Sequence, residues 1–231
     1  MRALLAERGS KLTKIKKLYL KRGREKPVTH YHPWIFSGAI KQLEGEPFSG
    51  ETVMVVDSDG DFLAWGAYSP ESQIRVRIWS WAQDQEITQD YFRTLILSAL
   101  EYRRRIGYVY PMKRLIHGES DGLPGLIADQ YGDVLVLQFL SSGAEFWKDE
   151  LIQILAEETD CRTIYERSDV QVRKLEGLPL RSGTLSGPEP ASLVEIEENS
   201  IKYWIDVANG HKTGYYLDQR ENRAVIGELC R

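Results

Sequence analysis

The feature that most constrains this chain is a run of short apolar segments between residues 16 and 78, each closed by turn residues. Leu18-Tyr19-Leu20 runs up to Gly23, and Thr52-Val53-Met54-Val55-Val56 runs into Asp57-Ser58-Asp59-Gly60. Phe62-Leu63-Ala64-Trp65-Gly66-Ala67 and Ile74-Arg75-Val76-Arg77-Ile78-Trp79 complete the set. Segments this short, rich in β-branched and aromatic residues, pair as strands and close into a small β-barrel or sandwich. The last of them alternates strictly, with Ile74, Val76 and Ile78 on one face and Arg75 and Arg77 on the other. This predicts a strand with an apolar core face and a cationic outer face.

The period then changes. Over residues 88–106, Phe92, Leu95, Ile96, Ala99, Leu100 and Ile106 recur at helical spacing, with Arg93, Arg103 and Arg104 between them. The polar stretch from Trp81 to Glu86 marks a boundary between two units. Beyond it, strand-like segments (114–117, 126–129, 134–140, 163–166) alternate with a helical one (143–158), which is an α+β pattern. Residues 174–190 carry Gly177, Pro179, Gly183, Gly187, Pro188 and Pro190 and read as a loop or linker. Residues 193–207 read as two strands around Asn199-Ser200, and residues 218–230 as the opening of a helix with Asp218 as its N-cap.

Composition excludes several classes. No apolar run approaches the roughly 20 residues of a membrane span, and the first residues lack the apolar stretch of a secretory signal, so a cytoplasmic location is expected. The two cysteines, Cys161 and Cys230, lie far apart without metal or redox spacing and are expected to be reduced and without catalytic part. No metal site is expected.

The formal net charge of -4 conceals an uneven distribution. Lys11, Lys14, Lys16, Lys17, Lys21, Arg22, Arg24 and Lys26 face the single acid Glu25, whereas acids gather at Glu195, Glu197 and Glu198. A polyanion responds to the local face, not to the sum. Directly after the basic run comes His30-Tyr31-His32-Pro33-Trp34-Ile35-Phe36-Ser37-Gly38-Ala39-Ile40. Cations attract phosphates and aromatic faces stack unpaired bases, which makes Lys21, Arg22, Arg24, His32, Trp34, Ser37, Gly38, Arg75 and Arg77 candidate RNA-binding residues. Core packing of a small barrel also accounts for Trp34 and Phe36.

Several blocks in order carry a resemblance: 18–25 with 32–40; Gly66-Ala67-Tyr68-Ser69-Pro70-Glu71-Ser72-Gln73-Ile74-Arg75-Val76-Arg77; Gly118-Glu119-Ser120-Asp121-Gly122-Leu123-Pro124-Gly125-Leu126; Tyr165-Glu166-Arg167-Ser168-Asp169-Val170; and Gly210-His211-Lys212-Thr213-Gly214-Tyr215-Tyr216-Leu217-Asp218-Gln219-Arg220. Together they resemble the bacterial large-subunit (23S) ribosomal RNA cytosine-5 methyltransferases. The resemblance implies an α+β chain: a PUA-like RNA-binding β-barrel over 16–82 after a basic extension over 1–15, and a mixed α+β middle domain over 86–190. It further implies that residues 191–231 are a β-hairpin and helix leading into a Rossmann-like methyltransferase domain. The family uses S-adenosyl-L-methionine on ribosomal RNA. Its equipment is a glycine-containing loop after the first Rossmann strand, an Asp-Pro-Pro segment and a cysteine in a Thr-Cys-Ser-type segment.

No segment of this chain matches those three. The catalytic Rossmann domain is therefore expected to be lacking, neither cysteine is assigned a catalytic role, and S-adenosyl-L-methionine is not expected to bind this chain alone. Lys212, Asp218, Gln219 and Arg220 are candidate cofactor-cleft residues by the resemblance, while capping by Asp218 and an internal ion pair of Arg220 explain them structurally. Glu119, Asp121 and His117 invite an acid-base reading, but the flanking glycines and Pro124 favour turn chemistry. Arg167, Asp169, Arg173 and Lys174 read equally as RNA contacts or as internal salt bridges. The functions to be separated are the RNA-binding portion of a ribosomal RNA methyltransferase and a stand-alone RNA-binding module.

Overall fold

A computed structural model describes residues 15–108 and 110–230. Lys11 and Lys14 of the basic run lie outside the described residues. The chain is α+β and opens on a six-stranded sheet of order β2-β6-β5-β4-β1-β3. Its strands are β1 (Lys17–Leu20), β2 (Trp34–Phe36), β3 (Ile40–Glu44), β4 (Thr52–Val56), β5 (Phe62–Tyr68) and β6 (Ile74–Ser80). A one-turn helix, α1 (Lys26–Thr29), sits between β1 and β2, and β1 pairs parallel with β4 in an otherwise antiparallel sheet. The alternating residues converge inside it: Leu18, Leu20, Val28, Ile35, Val53, Val55, Ala64, Val76 and Ile78 form one buried cluster.

Helix α2 (Gln89–Arg105) begins where residue chemistry favours it. The Thr88 side chain accepts from the Tyr91 N–H, Asp90 lies in the first turn and Arg103, Arg104 and Arg105 in the last, as N-capping and the helix dipole require. It covers a five-stranded sheet of order β11-β10-β9-β8-β7. These strands are β7 (Met112–His117), β8 (Leu126–Tyr131), β9 (Val134–Phe139), β10 (Thr163–Ser168) and β11 (Arg181–Ser186). Between β9 and β10 come α3 (Ser142–Phe146) and α4 (Lys148–Glu158), and α5 (Val172–Leu175) precedes β11.

One face of this sheet packs on α2 and α4 through Phe92, Ile96, Leu100, Leu135, Leu137, Leu151 and Ile154. Ala67 and Trp79 of the first sheet join the same cluster, so the two sheets share buried apolar surface. The other face is partly covered by the hairpin of β12 (Val194–Glu198) and β13 (Ile201–Ile205), through Met112, Tyr131, Val134, Val136, Ile196 and Ile205. Asn199 and Ser200 both adopt positive φ, which a two-residue hairpin turn requires. Helix α6 (Arg220–Leu229) follows.

The structure corrects several expectations. Residues 181–186 are an edge strand inside the stretch expected to be a loop, because β11 pairs antiparallel with β10 from Ser168↔Arg181 to Ile164↔Ser186. The helix expected over 143–158 is two, broken at Trp147, which closes α3 and opens α4. Asp218 caps no helix: residues 217–219 form a 3-10 turn, α6 starts at Arg220, and neither has a side-chain cap. The face of β6 that carries Arg77 is not an outer one at that position. Arg77 and Trp79 are buried under the second sheet and its helices, although the period-2 pattern itself is kept.

Candidate nucleic-acid interface and the groove beside the second sheet

Four of the candidate RNA residues, Arg24, His32, Trp34 and Gly38, line one cavity on the first sheet. Its volume is ≈ 340 Å³, and Arg24, Pro27, His32, Trp34, Phe36 and Gly38 are among its lining residues. Strand alternation builds the wall, because positions 32, 34 and 36 of an extended segment share a side. The His32 and Trp34 ring centroids lie 5.8 Å apart and those of Trp34 and Phe36 6.5 Å apart, both edge-on. The Trp34 N–H donates to His32 Nδ1 at 3.1 Å, which holds the imidazole beside the indole. Phe36 is half exposed, unlike a core ring.

Charge borders this apolar hollow. Lys21 Nζ donates to the Gly38 carbonyl at 2.9 Å, which brings its ammonium to the rim. Arg22 and Arg24 are exposed and form no ion pair among the described residues. Ser37 Oγ donates to Gln73 Oε1 at 2.9 Å, fixing the 3-10 turn Ser37–Ala39 that carries Gly38. A Cβ built on Gly38 would meet no protein atom within 4 Å. Lys16 is withdrawn from the basic run by an ion pair with Glu51 at 2.6 Å.

Two of the expected contacts do not stand at this surface. Arg75 is half-buried and donates to the Ser69 carbonyl at 3.2 Å. Arg77 is buried, donates to Glu176 Oε1 at 2.7 Å and lies 3.7 Å from Glu119, so its charge is spent inside the molecule. The Glu176 carboxyl is held below its ordinary value of 4.5. Burial alone pushes it up, but the Arg77 charge and hydrogen bonds from Ser72, Arg77 and Ser69 outweigh that.

The candidate cofactor residues separate. Lys212 and Asp218 pair at 3.0 Å and line a groove of ≈ 700 Å³ with Arg114, His117, Gln138 and Tyr215 among others. That pairing lowers the Asp218 carboxyl. Gln219 and Arg220 do not line the groove. Gln219 Oε1 accepts from Asn222, and Arg220 is buried, ion-paired with Glu198 at 3.1 Å and stacked 3.5 Å from the centroid of the Tyr110 ring. Of the four, then, Lys212 and Asp218 line the groove, paired with each other, and Gln219 and Arg220 are engaged elsewhere.

Most of the remaining polar motifs make internal contacts, although Arg173 Nη2 and Glu166 Oε1 are buried without a hydrogen-bond partner. Asp121 takes both guanidinium nitrogens of Arg103, at 2.6 and 2.7 Å, and the His117 N–H. Arg167 donates to the Val207 and Gly210 carbonyls, and the fully buried Arg173 pairs with Glu145. Burial raises the Cys161 thiol, which disfavours the thiolate, and Cys230 is exposed and free. Among the described residues there is no cluster suited to a metal ion and no helix long and apolar enough to cross a membrane.

Sequence reasoning missed Glu119 as part of this site. Its carboxylate accepts from the Trp34 indole N–H at 2.7 Å, across 85 positions of chain. Pro27 and Ala39 also line the cavity without having been singled out, and so does Phe36, which core packing would have explained. The alternation of His32, Trp34 and Phe36 was the signal that could have found Phe36.

Residues 18–81 match the PUA-like domain family. Over 220 residues the chain is 48% identical to ribosomal RNA large subunit methyltransferase I of Shewanella amazonensis, covering 92% of this chain and 54% of that protein. The protein of the same name from Yersinia pseudotuberculosis serotype O:1b is 47% identical over 209 residues, 90% of this chain and 53% of its own. Its relatives are ribosomal RNA methyltransferases. The chain spans about half the length of these relatives. Among solved structures, a putative SAM-dependent methyltransferase from Streptococcus mutans superposes with a TM-score of 0.73 at 21% identity, over 91% of this chain and 53% of its own. A putative methyltransferase complexed with SAH superposes equally, at 0.73 and 21%. Both likenesses concern the fold.

Proposed function

We propose that this chain binds ribosomal RNA and is the RNA-binding N-terminal portion of an S-adenosyl-L-methionine-dependent ribosomal RNA (cytosine-5) methyltransferase acting in the cytoplasm. The observation that carries the reading is the cavity beside His32, Trp34 and Phe36, apolar inside and bordered by Lys21 and Arg24. An unstacked base finds aromatic faces there, and the flanking phosphates find cations. Similarity to ribosomal RNA methyltransferases supports RNA as the ligand, and the choice of cytosine-5 rests on the sequence blocks alone. In this reading residues 16–82 hold RNA, 86–190 are a middle domain, and 191–231 lead into the methyltransferase domain.

Filter-binding titrations of the chain against single-stranded fragments of large-subunit ribosomal RNA and against duplex DNA test the proposal. Preferential retention of the RNA is expected. Equal retention of both at every salt concentration would reduce the interface to nonspecific charge and overturn it.

A second reading, an RNA-binding module without catalytic activity, is favoured by the burial of Arg220 and the pairing of Lys212 with Asp218. On either reading calorimetry with S-adenosyl-L-methionine is expected to give no binding heat. Micromolar binding would show that the groove beside Lys212 is a cofactor site.

A further inference from the structure

The Trp34 indole wall of the cavity is not held by its own sheet alone. β2 is a three-residue strand at the sheet edge, paired among the described residues with β6 alone, and Trp34 lies opposite Arg77 in that ladder. Within its own unit the indole is flanked edge-on by His32 and Phe36, and neither contact pairs its N–H. The group that pairs it comes from the second unit. Glu119 lies in the 3-10 turn Gly118–Asp121 that follows β7, and its Oε1 accepts from Trp34 Nε1 at 2.7 Å. The same oxygen lies 3.7 Å from Arg77 Nε, and Arg77 is in turn fixed by Glu176 at 2.7 Å. Asp121, two residues on, ties the turn to α2 through Arg103.

We infer that Glu119 is a positioning residue for RNA: it holds the Trp34 ring in the orientation that walls the base-binding cavity, so the pocket of the first sheet is complete only when the second sheet is docked. The inference rests on the RNA reading given above and adds to it the group that preorganises the pocket. A pocket wall fixed before binding spares the ligand the entropy of ordering it. The carboxylate also places a negative group behind the indole instead of inside the cavity, where it would repel phosphate.

The hydrogen bond needs an acceptor oxygen and not a charge, which makes the test specific. Glu119→Ala removes the acceptor, and Glu119→Gln keeps one. Trp34→Phe keeps a ring and removes the donor. Affinity of the full chain for a single-stranded fragment of large-subunit ribosomal RNA is read by filter binding, with circular dichroism and thermal melting to show that each variant is folded. E119A is expected to weaken binding about three- to tenfold, the range of one ordinary hydrogen bond. E119Q is expected to stay within about twofold of the parent, and E119A is expected to cause no further loss in a W34F background. In a proton-nitrogen spectrum the Trp34 indole resonance is expected to move in E119A and to stay close to its place in E119Q. Unchanged affinity in E119A, equal weakness of E119A and E119Q, or additive losses with W34F would each overturn the inference. Failure of the RNA reading looks different: W34A would then leave RNA binding untouched whatever stands at position 119.

Discussion

Arg77 of the first sheet and Glu176 beyond α5 form an ion pair at 2.7 Å, with the arginine side chain 9% and the glutamate side chain 1% exposed. It joins two sheets that also share Trp79 and Ala67 in one apolar cluster. Glu176 Oε2 further accepts from Ser69 Oγ at 2.8 Å and from the Ser142 N–H at 3.2 Å, so one carboxylate gathers groups from β6, the β5–β6 turn and α3. The link fixes the first sheet against the rest of the chain.

Breaking that pair from one side is expected to be severe, since it strands a buried charge. Arg77→Ala or Glu176→Ala is expected to lower stability by about 3 to 5 kcal/mol, read from chemical denaturation. A loss under about 1 kcal/mol would mean that water reaches the site.

The same carboxylate sets an acid limit. Its folded-state value lies below the ordinary 4.5, so its contribution is complete above 4.5 and is lost as pH falls through the folded value. Glu176→Gln, which cannot ionise, is expected to flatten the acid flank of the stability curve. An acid flank of the same steepness in E176Q and the parent would assign acid unfolding to other carboxylates.

Close backbone approach makes a third prediction. A Cβ on Gly143 would lie 2.4 Å from Ala67 Cβ and 2.6 Å from Trp79 Cζ2, so the glycine lets α3 touch β5 and β6. Gly143→Ala is expected to cost about 1 to 3 kcal/mol through overpacking, measured by denaturant midpoint. Gly38 provides the contrast. No protein atom lies within 4 Å of a Cβ there, and its φ is not positive, yet it lines the cavity beside Trp34. Gly38→Leu is expected to leave stability within about 0.5 kcal/mol and to weaken RNA binding by about 1 to 2 kcal/mol. Loss of stability with RNA affinity intact would remove Gly38 from the interface.

How much of this was legible depended on the range of the signal. Short β-branched and aromatic segments closed by turn residues located β4, β5 and β6, strict alternation marked β6, and helical spacing located α2, because each of these is a local property. The Asn199-Ser200 turn was readable for the same reason. β11 was not: Arg181-Ser182-Gly183-Thr184-Leu185-Ser186 is a polar edge strand containing glycine, held by its pairing with β10 and not by its own pattern. The clustering of His32, Trp34 and the basic run within one short segment was legible, and the structure shows that Arg24, His32, Trp34 and Gly38 line a cavity. Arg77 was misplaced because alternation says that two faces exist, and only tertiary structure says that both are covered. Glu119 reaches Trp34 across 85 positions, and nothing local to either residue encodes the meeting.

The charge on the rim yields the remaining prediction. Lys21, Arg22 and Arg24 are exposed, and Lys21 sits against the carbonyl of Gly38 at the edge of the cavity. Each phosphate contact on a single strand releases condensed counterions and adds about 0.7 to the slope of log affinity against log salt. Replacing all three with alanine is expected to weaken binding at low salt and to flatten that slope by about 2 if each meets a phosphate. Trp34→Ala removes stacking instead of charge, so it is expected to lower affinity by a similar factor at every salt concentration and leave the slope unchanged. Filter-binding titrations across a salt series separate the two effects. An unchanged slope in the triple variant would move the phosphate path away from this rim, and a changed slope in W34A would mean that the indole orders the cations as well as the base.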